Sequence, residues 1–334
     1  MTRPLPDARI YAERVVLAAL GCEGRPLAIR PPGAGGTASQ ACRLDIEGAP
    51  SLLLRFFDDR ARALRSAGAL RHLERLGLPA PRLASADVRI TNRILRPEDL
   101  PLYATAETWI EGTRVIESPD EEGAALSVAG LLARFHAICR PRWGRPGGFP
   151  EIRPYAGTTL AAAGRMIADL RTRGILDKAE GAEAISRLVG WRRRLTGIDV
   201  FHLVHNDANR RNFILTMEGT LVAIDVRRIS YEPCAEEIAN ALYHFCRRDE
   251  TLAGRFVETW LGSATPSCRE TWERFGPFFT AFNTLKRLHR RTGPRAASIV
   301  HPGENAPGAP PGVDARIPVW KEALLTLKDP PAPG

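Results

Sequence analysis

The sequence has no run of the roughly 20 apolar residues that a membrane-crossing helix needs, which excludes a helical membrane span. Its opening stretch, MTRPLPDARIYAERVVLAALGCEG, lacks an apolar segment of signal-peptide length, so a cytoplasmic location is expected. Paired cysteines are missing too: Cys22, Cys42, Cys139, Cys234, Cys246 and Cys268 lie far apart, with no C-x-x-C and no Cys/His group at metal-ligand spacing. That pattern points to neither a disulfide framework nor a structural zinc site, and reads as reduced core or surface thiols. No repeat period is visible. Nor is there a basic block interleaved with aromatics, since the net charge of +9 comes mainly from arginines spread over the whole length. Such a balance suits polyanionic partners, but without a basic block nucleic-acid binding is not expected.

What is present is core. At 334 residues and 44% hydrophobic content, the chain can bury a substantial interior and is long enough for two lobes. Residues 33–59, beginning GAGGTASQACRLDIEGAPSLLLRFF, give a glycine turn, an alternating strand, an EGAP turn and an apolar strand, which together predict a hairpin. A helix is expected from Arg60 to Leu76 with Ala63, Ala67, Leu70 and Leu73 on its buried face, ended by the glycine and prolines of GLPAPR. The β-rich run YATAETWIEGTRV stops at a glycine and connects to a largely helical second part. There Val128, Leu131, Leu132, Phe135 and Ile138 recur at helical spacing in SVAGLLARFHAIC. Near the end, residues 301–318 read as a proline- and glycine-rich loop, followed by a docked amphipathic helix over VWKEALLTL and a disordered PPAPG tail.

One polar stretch interrupts this pattern. HNDANRRN, residues 205–212, sits between the apolar runs FHLV and FILT, and after the turn MEGT comes LVAID. A hairpin turning at Glu218 and Gly219 would place Asn212, at the base of one strand, close to Asp225, at the end of the next. Asp207 precedes them in the loop, so three oxygen-bearing side chains can converge. Mg²⁺ takes hard oxygen ligands of this kind together with nucleotide phosphates and water. Phosphoryl transfer needs in addition a carboxylate that orients the attacking hydroxyl and accepts its proton. The pattern H-x-D-x-x-x-x-N should arise in roughly one shuffled chain in a hundred of ordinary composition. A loop rich in Asn and Asp for turn chemistry alone would explain neither the flanking strands nor the spaced AID.

Taken in order, GGTAS, LLLRFF, TWIEGTRV, LLARFHAI, HNDANRRNFIL and VAID resemble the aminoglycoside phosphotransferase and choline kinase family, over about residues 33–243. H-N-D, an arginine on the third strand, and IDVRRISYEPCAEEIAN are nearest to the choline and ethanolamine kinase branch. In that last stretch Asp225, Tyr231, Ile238 and Asn240 match, while Glu237 stands where the branch has aspartate. The resemblance implies an α+β, two-lobed protein-kinase-like fold: a small antiparallel-sheet lobe at 1–106, a hinge at 107–113 and a mainly helical lobe at 114–330. It further implies ATP and Mg²⁺ as cofactors, Asp207 as catalytic base, and Asn212 and Asp225 as metal ligands. Arg55 would contact the nucleotide phosphates, Gly35, Gly36 and Ser39 would form the turn over them, and Thr108, Trp109 and Ile110 would meet the adenine edge. GAGGTASQ is not a Walker loop, lacking the G-K-[ST] ending.

Several positions keep two readings. Arg55 is a ligand contact or a surface ion-pair partner, His205 braces the loop or takes part in chemistry, and Trp109 is core or adenine wall. Arg210 and Arg211 are solvated or shape acceptor preference. Kinases of this fold pair the third-strand cation with a glutamate on the following helix, and the equivalent position falls near Ser66; either Glu74 serves after a shift of register or the pair is missing. DVRR replaces the common D-[WF]-E. Tyr243 and Phe245 could stack on a cation, but His244, Arg247 and Arg248 add positive charge, so a neutral or anionic hydroxylated small molecule suits the surroundings better than choline. The expected activity is ATP- and Mg²⁺-dependent phosphorylation of such an alcohol, with a catalytically weak kinase-like protein that binds nucleotide or a partner as the rival. Neither a membrane nor a nucleic acid is expected as partner, and no feature specifies an oligomer.

Overall fold

Alternation builds the first sheet. In the computed structural model, which describes Arg9 and residues 12–31, 41–84, 103–147, 154–246, 249–292, 321–322 and 324–325, four strands pair antiparallel in chain order. They are β1 (Leu27–Arg30), β2 (Ala41–Ile46), β3 (Leu52–Phe57) and β4 (Tyr103–Thr108). The expected hairpin is β2 and β3. Cys42, Leu44, Ile46, Leu52, Leu54 and Phe56 bury against Ala104 and Ala106 of β4 and against Ala12, Val16 and Leu17. Those last three lie in an N-terminal π-helical segment (Ala12–Leu17) absent from the sequence reading, since a short apolar run without a cap gives little warning of a helix. The predicted glycine turn, with Gly35, Gly36 and Ser39, lies outside the described residues.

Helix α1 (Arg60–Arg75) begins where the Asp59 side chain accepts from Ala61 N at 2.7 Å, and ends at Gly77, whose φ of 64° suits glycine. Its buried face is Ala63, Ser66, Ala69, Leu70 and Leu73; Ala67, expected on that face, is half-buried. Ala69, Leu70 and Leu73 belong to the larger, helical core rather than to the core under the first sheet.

After β4 the chain leaves the first sheet. Gly112 has φ 147°, and a Cβ there would lie 2.2 Å from the Leu215 carbonyl oxygen, so only glycine fits this crossing. Strand β5 (Thr113–Arg114) then joins β8 (Phe213–Leu215) and β9 (Leu221–Ala223), while β6 (Cys139–Arg140), β7 (Phe201–Val204) and β10 (Ser230–Glu232) form a third sheet. Thus the runs on either side of HNDANRRN are not neighbours. β7 pairs with β6 and β10, β8 pairs with β5 and β9, and the polar loop bridges two sheets.

The remainder is helical: α2 (Glu121–His136), α3 (Tyr155–Thr172), α4 (Lys178–Gly190), α5 (Cys234–Cys246), α6 (Glu250–Ser263) and α7 (Pro266–Arg291). Helix α2 starts earlier than its apolar stripe because Asp120 caps Gly123 N at 2.8 Å, and it stops at His136, leaving Ile138 packed outside it. Lys321, Glu322, Leu324 and Leu325 are helical; Leu324 is 1% exposed and Lys321 Nζ lies 2.6 Å from Glu180, so this terminal segment docks as expected. His202, Cys234 and Cys268, dispersed in sequence, are all buried with ligand-capable atoms within 4.8 Å of one another. No described helix is long and apolar enough to cross a membrane.

Candidate active site

A carboxylate holds the polar loop from beneath. Glu237, on α5 and 4% exposed, accepts from His205 N at 2.9 Å and Asn206 N at 2.6 Å. Trp260 Nε1 donates to His136 Nδ1 at 3.0 Å, which leaves His136 Nε2 to donate to Glu237 at 3.0 Å and fixes that ring as one tautomer. Burial opposes ionisation of Glu237, but the hydrogen bond from His136 and the amides outweigh it and hold the carboxyl below its ordinary value. Sequence had marked Glu237 only as a replacement for aspartate. His205 is buried and donates Nε2–H to the Ile224 carbonyl at 2.9 Å, tying the loop to the strand end before Asp225. Asn206 takes φ 62°, a conformation Asn tolerates, and its Nδ2 reaches Ser230 Oγ at 3.0 Å and Glu232 at 2.8 Å.

The loop's geometry then joins Asp207 to Asn212 and Asn212 to Ile224, the neighbour of Asp225. Asn212 Nδ2 donates to the Asp207 carbonyl at 2.8 Å, and Asn209 Nδ2 donates to the same oxygen at 3.0 Å and to Asp207 Oδ1 at 3.2 Å. Ile224 N donates to the Asn212 carbonyl at 2.8 Å, and Phe213 pairs with Ala223 in the β8–β9 register. The hairpin therefore sets Asn212 beside the residue preceding Asp225, as the spacing predicts. Asp225 has φ 56°, and its Oδ1 is buried without accepting a hydrogen bond, although Arg227 Nε lies 3.1 Å and Arg55 Nη1 3.8 Å away. A buried carboxylate oxygen held by ion pairs alone, on a chain segment next to an asparagine whose Nδ2 is already committed, is of the hard-oxygen type that a divalent cation takes.

Arg55 is neither solvated nor on the surface. Its side chain is 17% exposed, and Nε lies 3.1 Å from Oε1 of Glu107 on β4, whose side chain is 4% exposed. Burial disfavours the charged guanidinium, but Glu107 and then Asp225 outweigh it and raise its pKa. Neither alternative expected for its partner occurs: Glu74 instead lies 4.0 Å from Arg82, and the pair is not missing but supplied by Glu107. In the crossing, Thr108 N donates to the Arg82 carbonyl at 2.8 Å and Trp109 N to the Ser51 carbonyl at 3.0 Å. Both amides are therefore already committed within the fold. One face of Trp109 is covered by Arg43, whose Cζ is 4.8 Å from the ring centroid.

Two further expectations change. Arg210 is 7% exposed and pairs with Glu121 at 3.1 Å, so it is built into the fold rather than offered to an acceptor. Phe245 is buried between Phe213 and Phe256, and Arg287 Cζ lies 3.4 Å from the Tyr243 ring centroid, so neither ring waits for a ligand cation. Glu232, beside Asn206, is pushed up to about 7 by burial and the charge of Glu236. Arg247 and Arg248 lie outside the described residues.

An antiparallel sheet, a helical part and a braced H-x-D-x-x-x-x-N loop between them define a kinase-like phosphotransferase fold. Residues 29–278, more than half of the sequence, match the model of the phosphotransferase enzyme family, and the chain belongs to that family. Among solved structures it is similar to a thermostable mutant of aminoglycoside phosphotransferase APH(4)-Ia in ternary complex with AMP-PNP and hygromycin B. That match has TM-score 0.56 and 15% identity, covering 94% of this chain and 97% of the other. Choline kinase LicA from Streptococcus pneumoniae matches with TM-score 0.54 and 14% identity over 93% and 98% of the two chains. An ethanolamine kinase from Plasmodium vivax matches with TM-score 0.52 and 13% identity over 90% and 80%. At these identities the likeness is one of fold. No curated protein matches the sequence.

Proposed function

We propose that this chain transfers the γ-phosphoryl group of ATP to a hydroxyl of a small molecule. The observation that carries this is the hydrogen-bonded succession Asp207, Asn212, Ile224, ending beside Asp225, whose buried Oδ1 is met by the cations of Arg227 and Arg55. Asp207 orients the acceptor hydroxyl and accepts its proton; Asn212 and Asp225 would hold Mg²⁺, which when bound neutralises phosphate charge. Arg55 would reach the nucleotide phosphates from β3, Gly35, Gly36 and Ser39 would contact the same phosphates, and the backbone of Thr108, Trp109 and Ile110 would meet adenine. Residues 107–113 serve as the hinge between a nucleotide lobe at 1–106 and a catalytic lobe at 114–330. Catalysis of this kind rests on positioning and electrostatics, which explains why so many hydrogen bonds converge on the backbone of residues 205–212. A relative's complex with AMP-PNP and hygromycin B supports nucleotide and small-molecule binding in this fold. For the acceptor, a neutral or anionic alcohol fits, because Tyr243 and Phe245 are already engaged.

The test is ATP turnover with Mg²⁺ across a panel of hydroxylated metabolites. Asp207→Asn should lower kcat by about a thousandfold or more while nucleotide still raises Tm, and Asp225→Asn should lower turnover and raise the Mg²⁺ requirement. Nucleotide binding without turnover of any acceptor would favour the catalytically weak rival. No turnover together with no nucleotide-dependent rise in Tm would end the phosphotransferase reading.

A further inference from the structure

We propose that Glu107 is the positioning residue for Arg55, replacing a glutamate on the following helix. The assignment rests on the nucleotide-binding reading above and concerns which part of the molecule aims the phosphate-contacting cation. In the β3–β4 register Arg55 faces Thr105 and Leu53 faces Glu107, so Arg55 and Glu107 are diagonal neighbours on one face of the sheet. Glu107 Oε1 takes the Nε edge of the guanidinium at 3.1 Å, and Thr105 Oγ1 donates to the same oxygen at 3.4 Å. With that edge fixed, Nη1 is directed at Asp225 Oδ1, 3.8 Å away, on the metal side of the site. A planar guanidinium held by one edge keeps its remaining donors on a defined heading, which a freely rotating cation does not.

Helix α1 offers no substitute. The position where a helix glutamate is expected is Ser66, 3% exposed, and the packing of α1 explains why a carboxylate there is not required. Ala69, Leu70 and Leu73 anchor α1 in the helical core, whereas β3 and β4 share six register pairs in the other. A glutamate on α1 would tie the cation to the helical core, and its aim would follow every displacement of the helix, as in protein kinases where that pair is a control point. Glu107 and Arg55 sit on adjacent strands of one sheet, so the aim is set within the sheet itself. Burying a carboxylate this deeply is unfavourable unless it is paired, and Arg55 is its ionic partner among the described residues.

The test uses the full chain with three ligands, Mg²⁺–AMP-PNP, ADP and adenosine, measured by titration calorimetry alongside Tm. Glu107→Gln should weaken Mg²⁺–AMP-PNP roughly tenfold and leave adenosine unchanged, because only the phosphates feel Arg55. Glu107→Asp, which keeps the charge but withdraws it by one methylene, should fall between, roughly two- to fivefold weaker than wild type. In an Arg55→Ala background, Glu107→Gln should cause no further loss, since the group it aims is gone. Wild-type affinity in Glu107→Gln, equal losses for AMP-PNP and adenosine, or losses that multiply in the double variant would each overturn the assignment. If the Gln variant does not fold, the Asp variant decides, and unchanged affinity there overturns it. Absence of nucleotide binding in the wild type would instead bring down the phosphotransferase reading, and this assignment with it.

Discussion

Glu237 illustrates how far the shape of the polar loop is set by a residue buried beneath it. It accepts from two successive loop amides and from His136, so Glu237→Ala strands three donors in a buried site. We expect a loss of about 3 kcal/mol in denaturant unfolding and a drop in kcat beyond what the lost stability explains. Unchanged kcat in the folded variant would show that the brace is dispensable. Glu232 behaves in the opposite way with pH. Its folded pKa is raised from 4.5 to about 7, so the carboxyl is at ease while protonated and its stabilising share is lost as pH rises from 4.5 through 7. Glu232→Gln should match wild type in Tm at pH 4.5 and exceed it by several degrees at pH 8, corresponding to about 1–2 kcal/mol at its partial exposure. A Tm difference independent of pH would exclude this titration. Glu237, whose pKa is depressed, contributes in the reverse sense, losing its share as pH falls through its folded value.

At the scale of elements, the crossing between β4 and β5 is the least tolerant segment. Gly112→Ala would set a methyl against the Leu215 carbonyl and force a strained φ, so a loss of about 3 kcal/mol or more is expected, seen as a fall in denaturation midpoint. A variant as stable as wild type would mean the crossing can move away from β8. This segment was legible in sequence because TWIEG combines β-formers with a stop. The hairpins and α1 were legible too, since alternation, caps and glycine stops are local signals. The partition of FHLV and FILT into different sheets was not, because strand pairing depends on distant partners such as Ser230–Glu232. For the candidate site, spacing singled out Asp207, Asn212 and Asp225, and the hairpin expected between the last two is present, with Phe213 opposite Ala223. Spacing could not find Glu107, which reaches Arg55 through a register set 52 residues apart, nor the burial of Arg210 and Phe245. The alternating run YATAET carried one hint: a carboxylate in a strand otherwise built of small and β-forming residues needs a partner.

At the scale of the whole molecule, the described residues form two hydrophobic cores. One lies under β1–β4, and the larger collects the helices together with part of α1. Hydrogen exchange should therefore show β2 and β3 opening at lower free energy than α5 and α7, by about 2 kcal/mol, with the gap narrowing when Mg²⁺–AMP-PNP is added. Uniform protection would indicate a single cooperative unit. Helix α1 should exchange with the helical core, because His72 Nε2 lies 2.9 Å from Tyr231 Oη and, just past the helix, Ala223 N donates to Pro79 O at 3.0 Å. The order of the chain and the order of packing thus disagree at α1. Severing the backbone between β4 and β5 would not release two self-sufficient halves: the first would carry away a helix whose Ala69, Leu70 and Leu73 belong to the core built mainly by the second. The fragments should be recoverable only when produced together, each acting as the folding template of the other.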